Sequence, residues 1–559
     1  MTRNNHSLRK VILGLFMLLS CGLLTAQNQF TATQWQEDLK FLQEQVHQEY
    51  QFLFKKITAE EFDASVDELH KAIPTMADHE VFAGLTRIVS SFKYGHTRMG
   101  FRDSPVKLTQ LPIAMYQFSD GMYVQGVHKD YPDALGAKVV AIEGVPIDKV
   151  MEAIYPLVPS ENDQFFKAYG VLYATSPELL HAQGVTDSLK KSIQFTLKKE
   201  GKEFRLLMNT GDFMAMPMEY GYIKRNEDWL QVRDSSATPL YLKNLDKIYY
   251  YEYLPEEKTV YVRQSQIQDD PSEDIPSFYA KVFDFIENND VEKMVLDVRL
   301  NGGGNNYKNK PVVTGIVRTE KINQPGKLFV IIGRRTFSAC QNLINELSNY
   351  TNAIFVGEPS SENINFYGDN REVQLPNTKI KTYLSFAWWQ DKPQWENGDW
   401  TAPQLAVESS FEEYRNNEDP VLDTALSFKD DNFIIDPMAH LTNLFMSGNT
   451  EQLEADAVSL VQDPKYRFFD FEGEFNKAGY RLLEGSQLEE AVYVFTMNTQ
   501  MFPDSANAWD SLAEGYWKAG DLEKATEYYN KAIQLDPTGS VGDNARSMLE
   551  KMKKGDPHN

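Results

Sequence analysis

The sequence predicts a multidomain α/β protein, and three observations support this. Between residues 245 and 430, apolar runs typical of strands alternate with stretches of helical spacing, which indicates a parallel sheet with crossover helices. Two of those strands are followed by a glycine loop and by a serine, as in open α/β sheets that keep their chemistry at the carboxyl ends of the strands. Near the C-terminus a helical pattern repeats at a fixed period.

Length and composition limit the classes of protein to be considered. The chain has 559 residues, of which 42% are hydrophobic, and its formal net charge is −24. At roughly 150 residues a domain, this length supports three or four domains, and the hydrophobic content supports sizeable cores. A strongly acidic chain has no electrostatic support for a nucleic-acid partner, and we expect none.

The first 26 residues have the features of a secretory signal peptide. Arg3, Arg9 and Lys10 form a positive end, and the apolar stretch 11–24 is too short to span a bilayer. Leu24-Thr25-Ala26 offers a small-residue cleavage site, which predicts a periplasmic or secreted protein. A retained anchor helix is the alternative, and a lipoprotein acylated at Cys21 is a variant that would bring the protein to a membrane.

The number of cysteines in the mature chain depends on that cleavage site. If cleavage follows Ala26, Cys340 is the single cysteine of the mature chain. Neither a disulfide within the chain nor a cysteine metal cage is then available.

The elements before the core are an N-terminal helical segment at 27–104 and a small β-rich domain at 105–208. Trp35, Leu39, Leu42 and Val46 recur at helical spacing. The sequence TAEE at 58–61 is typical of a helix start. Strand patterns at 121–127, 137–147 and 192–197 make up the β domain, with a helical insertion near 148–185.

The α/β core is predicted at 209–430 and is followed by a linker with some helix at 431–470. Strands are expected at 261–267, 294–300, 328–332 and 353–356, with later strands that include 383–389. A repeat region follows at 471–555, in which Leu488, Ala491 and Pro503 recur as Leu522, Ala525 and Pro537. This array is short for independent stability, so we expect it to lean on its neighbours, either as a structural cap or as a peptide-binding groove.

Ser338 is the candidate nucleophile. It follows the apolar run 328–332 and Gly333, and it precedes a helical pattern. A helix N-terminus provides positive potential and unpaired amide groups there, so the Ala339 amide can face a carbonyl oxygen. The loop at 302–304 would supply a second oxyanion donor, Gly303 or next Gly302, because glycine lets the backbone approach a substrate closely. Serine is also a common helix N-cap, and no GxSxG motif occurs.

Three motifs in combination resemble the tail-specific (C-terminal processing) and tricorn-core serine peptidases. They are DVRLNGGGNN at 297–306, GRRTFSA at 333–339 and GEP at 357–359. The order of a helical segment, a GHT turn, a β domain and an α/β core is also similar, and the resemblance covers roughly residues 30–428. It implies a ClpP/crotonase-like protease core with Ser338 as nucleophile.

Two further resemblances concern the flanking domains. The run 136–144 resembles the interior of a PDZ domain, which implies that the 105–208 segment presents peptide chains by strand addition. The pattern of residues 508–537 resembles a tetratricopeptide repeat. It implies one good repeat, one degenerate repeat and a last helix, with a protein partner as an open option.

The resemblance leaves two choices for the base. One branch of the family uses a lysine about twenty-five residues beyond the serine, but Asn363 stands there and no lysine occurs between Lys327 and Lys379. The tricorn branch uses a histidine from the segment before the PDZ domain, which His96 matches. Imidazole has a pKa near neutrality and can shuttle the proton. The branch also places a serine beside that histidine, where this chain has Gly95.

The same branch uses a late glutamate to orient the histidine. Glu396 is the candidate here, because it lies in the late part of the core within WENG. Glu358 and Glu362 compete for the role. A carboxylate in this position would hold the tautomer of His96.

Other chemistries have weaker support. The GGG loop lacks the Lys-Ser/Thr that a phosphate-binding loop needs. His47, His70 and His128 show no metal spacing, and HExxH is absent, so we expect no metal and no cofactor. Cys340 lies two residues beyond Ser338 in the predicted helix, where we expect its side chain to be buried.

The sequence thus predicts an extracytoplasmic serine endopeptidase that forms an acyl-enzyme on Ser338 with His96 as base. Its substrates would be peptides or proteins. A catalytically silent relative that binds peptides through its PDZ-like and repeat domains is the alternative. A small-ester or lactone hydrolase on the same site is a more distant one.

Overall fold

The computed structural model describes residues 29–102, 104–212, 216–234, 236–429 and 433–554. The expected signal peptide and Cys21 lie outside these residues. The chain divides into two compact units, Met1–Asp234 with Glu362–Asp399 and Ser235–Ser361 with Trp400–Asn559. Among the described residues, no helix combines the length and the apolar composition needed to cross a bilayer.

The first unit begins with the predicted helical segment. Its helices are Ala32–Glu49, Ala59–Ala72 and Asp78–Ser90. The second begins at the predicted capping box, in which the Thr58 amide donates to Glu61 Oε2 at 2.8 Å and the Glu61 amide donates to Thr58 Oγ1 at 3.1 Å. The apolar positions of the first helix are fully buried, as their spacing predicts. This confirms the helical character predicted for the segment that contains these helices.

The β-rich domain of the first unit is one antiparallel sheet. Its main path runs, in spatial order, through Trp229–Gln231, Gly121–His128, Lys138–Ile142, Ser192–Lys199 and Lys202–Asn209; Ile113–Phe118 and Val145–Pro146 pair beside it. The predicted helical insertion consists of Ile147–Ile154, Asp163–Tyr173 and Pro177–Ala182. The predicted end at residue 208 is too early, because Leu230 pairs with Val127 across the sheet.

A second sheet of this unit joins residues that are distant in sequence. Arg98–Met99 pairs with Lys381–Trp389, which forms a hairpin with Phe366–Gln374. The prediction of a continuous core at 209–430 is therefore wrong for residues 362–399, which belong to the first unit. Their alternating pattern identifies strands but does not identify the partner strand.

The second unit is built on a six-stranded sheet. Its strands are, in spatial order, Tyr249–Leu254, Thr259–Gln264, Lys293–Asp297, Leu328–Ile332, Ile354–Gly357 and Leu405–Ala406. All pairings except the first are parallel, as predicted. The connecting helices are Ile275–Asn288, Lys310–Arg318 and Ala339–Tyr350. Alternate strand residues enter two separate apolar cores, so the sheet is buried on both faces.

The second unit continues into a helical array. After the short helices Phe411–Arg415 and Pro420–Ser427, the array consists of Pro437–Met446, Thr450–Gln462, Phe471–Glu484, Leu488–Met501, Ala506–Lys518, Leu522–Leu535 and Ser540–Lys554. The helix expected within 431–470 is present as Pro437–Met446 and Thr450–Gln462, but the segment is not a simple linker. Leu441, Leu453 and Leu460 share one core with Phe475 and Val494, so this segment is a helical pair packed on the repeats.

Candidate active site

Ser338 lies at a sharp turn between the strand Leu328–Ile332 and the helix Ala339–Tyr350. Its backbone angles are φ 57° and ψ −128°, a region that non-glycine residues rarely occupy. Ser338 is half-buried, whereas Phe337 and Ala339 on either side are buried. A serine held in a strained strand-to-helix turn is the geometry of a nucleophile elbow, reached here without the GxSxG motif.

Backbone and threonine hydrogen bonds maintain this turn. The buried Thr336 hydroxyl accepts from the Gly333 amide at 3.0 Å and donates to the Val298 carbonyl at 3.1 Å. The Phe337 amide donates to the Asn301 carbonyl at 3.1 Å, which ties the serine turn to the start of the glycine loop. Because these partners lie at the ends of two neighbouring parallel strands, the sheet itself positions Ser338.

The glycine loop lies directly against the serine turn. Gly303 has φ +97°, and a Cβ built there would lie 2.7 Å from Ser338 Cβ and 2.9 Å from the Ala339 nitrogen. Gly302 is exposed, and no neighbouring heavy atom lies within 4 Å of a Cβ built on it. The structure therefore brings Ser338, Ala339 and the glycine loop together in the second unit.

The backbone amides around Ser338 differ in their hydrogen-bond acceptors. The Gly303 amide donates to Asn301 Oδ1 at 2.9 Å, and Asn301 Nδ2 donates to the Gln264 carbonyl at 3.1 Å. Sequence reasoning did not identify Asn301, which is fully buried and shapes the loop. The Ala339 amide belongs to the first turn of its helix, where amides have no intrahelical acceptor and the dipole favours negative charge.

Ion pairs hold the strand ends beneath this loop. Arg299 forms a bidentate pair with Asp419 at 2.8 and 3.0 Å and a second pair with Asp297 at 2.8 Å. Burial raises the pKa of Asp297 although the Arg299 guanidinium opposes the shift. Glu358 is likewise bound in bidentate fashion by Arg334, both at 2.7 Å. Of the three candidate glutamates, Glu358 is thus committed to a structural pair.

His96 lies in the first unit, on the predicted turn. The Thr97 amide donates to the Tyr94 carbonyl at 2.8 Å, and the His96 ring is parallel to Phe366 at a centroid distance of 6.5 Å. Burial lowers the pKa of His96 to about 4, and the nearby Arg98 charge contributes to the shift. The imidazole is therefore neutral at pH 7 and able to accept a proton.

Glu362 is the carboxylate beside His96. Its Oε2 lies 3.7 Å from His96 Nε2, and its side chain has no exposed surface. Glu396, the first choice from sequence, is on a 3-10 turn with about half of its side chain (49%) exposed, and its Oε2 lies 3.6 Å from Lys392 Nζ. Glu362, and not Glu396, is therefore the candidate carboxylate that the structure shows next to the His96 ring. The order of the candidate glutamates along the chain does not show which of them lies next to His96.

Glu161 links the segments that carry His96 and Glu362, and sequence reasoning missed it. Its Oε1 accepts from the Gly95 amide at 2.8 Å, and its Oε2 accepts from the Asn363 amide at 3.1 Å. Asn363 Oδ1 accepts a hydrogen bond from Lys56 Nζ, whose pKa is lowered by burial. Lys56, from the N-terminal helical segment, thus contacts the residue that stands at the position of the absent lysine.

Cys340 is not an alternative candidate for the nucleophile. Its side chain is fully buried in the core of the second unit, and burial raises its pKa well above the usual thiol range. A thiol in this state is a poor nucleophile.

Comparison with known proteins identifies the fold. Mature CPAF superposes with a TM-score of 0.50 at 12% sequence identity, covering 72% of this chain and 99% of that one. CPAF complexed with lactacystin gives 0.48 at 13% identity (69% and 95% covered). The photosystem II D1 C-terminal processing protease gives 0.32 at 12% identity (67% and 93% covered).

Sequence comparisons add one assignment. Residues 506–538 match the tetratricopeptide repeat model, which confirms the repeat predicted there. No curated protein matches the sequence. The chain therefore has the fold of mature CPAF over most of its length, followed by a helical array that contains a tetratricopeptide repeat.

Proposed function

We propose that this protein is a serine endopeptidase that cleaves peptide bonds through an acyl-enzyme on Ser338. The observation that carries the proposal is the strained backbone of Ser338 at a strand-to-helix turn, with Gly303 against it. Strain of this kind costs stability and persists where a site requires it. The three motifs at 297–306, 333–339 and 357–359, which resemble those of the tail-specific serine peptidases, support the same reaction class.

His96 and Glu362 are the proposed partners of Ser338. The neutral imidazole of His96 would take the Ser338 Oγ proton as the oxygen attacks the peptide carbonyl, and it would return the proton to the leaving amine. Glu362 would stabilise the imidazolium that forms in between. Water then hydrolyses the ester and regenerates Ser338.

The Ala339 amide is the proposed principal oxyanion donor. Since the Gly303 amide donates to Asn301, a second donor requires either Gly302 or a rotation of the loop peptide. Consecutive glycines make that rotation accessible. The same occupied amide favours the second candidate function, a relative that binds peptides without cleaving them.

The β domain and the N-terminus complete the proposal. We propose that the antiparallel sheet at 113–231 presents substrate chains by strand addition, as a PDZ-like domain would. We also propose an extracytoplasmic location, supported by the signal-like sequence of residues 1–26. Immunodetection of the protein in fractionated cells would test that location.

A fluorophosphonate probe tests the chemistry directly. The wild-type chain should be labelled, and Ser338→Ala and His96→Ala should lose labelling. Glu362→Gln should lower the labelling rate by at least about tenfold, whereas Glu396→Gln, its matched control, should not. Labelling that persists in Ser338→Ala would refute the proposal. A wild-type protein that binds peptides but is never labelled would establish the non-cleaving alternative.

A further inference from the structure

His79, Glu80 and His181 form a cluster in the first unit that the proposed reaction does not use. Their three ligand-type atoms all lie within 4.8 Å of one another. His79 and Glu80 are in the first turn of the helix Asp78–Ser90, and His181 is in the last turn of Pro177–Ala182. The fold thus brings together two imidazoles that are about a hundred positions apart in sequence.

We infer that this cluster is a binding site for Zn²⁺ with His79 Nε2, His181 Nδ1 and Glu80 Oε1 as ligands. Two imidazoles and a carboxylate are a common zinc ligand set, which leaves the fourth position to water. The sequence predicts no metal site because its histidines lack a local metal-binding spacing. A ligand set divided between two distant helices has no such spacing.

The distances fit the coordination geometry with small adjustments. His79 Nε2 and His181 Nδ1 are 2.9 Å apart, and His181 Nδ1 is 4.0 Å from Glu80 Oε1. Ligands at about 2.0–2.1 Å from a tetrahedral zinc are roughly 3.3 Å from one another. The imidazoles therefore need to separate by a few tenths of an ångström, and a rotation of the Glu80 side chain brings its oxygen closer.

The surroundings also suit a cation. The carboxylates of Asp78, Glu80 and Glu178 lie close enough to His79 to add negative potential at the cluster. Glu80 Oε2 accepts from the Ala77 amide at 2.6 Å, and Glu80 Oε1 is the oxygen that lies 4.0 Å from His181 Nδ1. The side chains of His181 and Glu80 remain partly exposed, at 19% and 30%, so water can complete the coordination.

A bound zinc ion would cross-link two helices of the first unit. The helix Asp78–Ser90 leads directly into the turn that carries His96, and the helix Pro177–Ala182 belongs to the insertion in the β domain. The Arg87–Gln183 hydrogen bond, at 2.6 Å, is a second link between the same segments. Zinc would therefore reinforce an existing contact and stabilise the first unit.

Titration of the untagged full-length protein with ZnCl₂ after chelator treatment tests this inference. We expect one equivalent of Zn²⁺ to bind to the wild type and to raise its thermal midpoint. Co²⁺ in its place should give the visible absorption of a tetrahedral site. Glu80→Gln keeps an acceptor for the Ala77 amide while removing the anionic ligand, and it should weaken binding by at least about tenfold.

Two further variants complete the test. His181→Gln should also weaken zinc binding by at least about tenfold. His128→Gln is the matched control, because His128 pairs with Asp130 elsewhere in the same unit, and it should bind zinc as the wild type does. If His181→Gln does not fold, Glu80→Gln decides the outcome. Absence of stoichiometric binding to the wild type, or unchanged binding in Glu80→Gln, would overturn the inference.

Discussion

Replacement of Gly303 by alanine is the most direct structural test of the site around Ser338. The new methyl carbon would lie 2.7 Å from Ser338 Cβ, 2.8 Å from the Phe337 carbonyl oxygen and 2.9 Å from the Ala339 nitrogen. None of these atoms is the mobile end of a long side chain, so the backbone of the serine turn must move. The φ of +97° is also unfavourable for alanine.

The two effects can be added as an approximate free energy. A positive φ costs a non-glycine residue about 1–2 kcal/mol, and overpacking costs about 1–3 kcal/mol. We therefore expect Gly303→Ala to destabilise the turn by about 2–5 kcal/mol. A displacement of Ser338 approaching 1 Å should slow fluorophosphonate labelling on the order of 100-fold.

Gly302→Ala is the matched control for stability. Its added methyl group meets no neighbouring heavy atom within 4 Å, so the free energy of local opening should change by no more than about 1 kcal/mol. Hydrogen exchange of peptides that cover residues 328–350 measures local opening in both variants. Equal exchange in Gly303→Ala and Gly302→Ala would refute the close packing of the loop on the serine turn.

Three other predictions follow from buried ionisable groups. His96 has a pKa of about 4 in the folded protein and an ordinary value near 6.5 when unfolded. Between these values the unfolded state binds the extra proton, so stability should fall by up to about 3 kcal/mol as pH drops from 7 to 4. Urea midpoints should show a weaker fall in His96→Asn, and equal pH profiles would contradict this. Arg299→Met leaves Asp297 and Asp419 buried without their cation and should cost about 3–5 kcal/mol in urea unfolding. Lys258→Met, whose ion pairs are exposed, should cost less than about 1 kcal/mol, and a similar loss in both variants would argue against the buried triad. Finally, in a chain that starts at Gln27, Cys340 should react with iodoacetamide only after unfolding; rapid reaction of the native protein would show that the thiol is accessible.

Local sequence signals predicted much of the fold. Thr58 and Glu61 identify a helix start because a capping box depends on residues three positions apart. The strands that flank Ser338 were predicted from uninterrupted apolar runs, which a sheet buried on both faces requires. The 34-residue period likewise identified the repeat later matched at 506–538.

Long-range pairings account for what the sequence did not predict. Glu362 is adjacent to His96, and Glu161 bridges Gly95 and Asn363, through contacts between residues far apart in the chain. No periodicity encodes such contacts, so the choice among three glutamates stayed open. The backbone strain at Ser338 was equally inaccessible, because it arises from the junction of strand, loop and helix and not from a motif.

The hairpin at 366–389 determines when the sheets of the two units can be completed during translation. Synthesis proceeds from the N-terminus, and Arg98–Met99 cannot acquire its partner strand until Lys381–Trp389 has been translated. The sheet of the second unit acquires its last strand, Leu405–Ala406, only slightly later. The two sheets therefore become complete at nearly the same stage of translation, whereas the helical array of the second unit is made afterwards. A fragment that stops before residue 389 would lack part of each unit, and dissection of this protein must respect that interleaving.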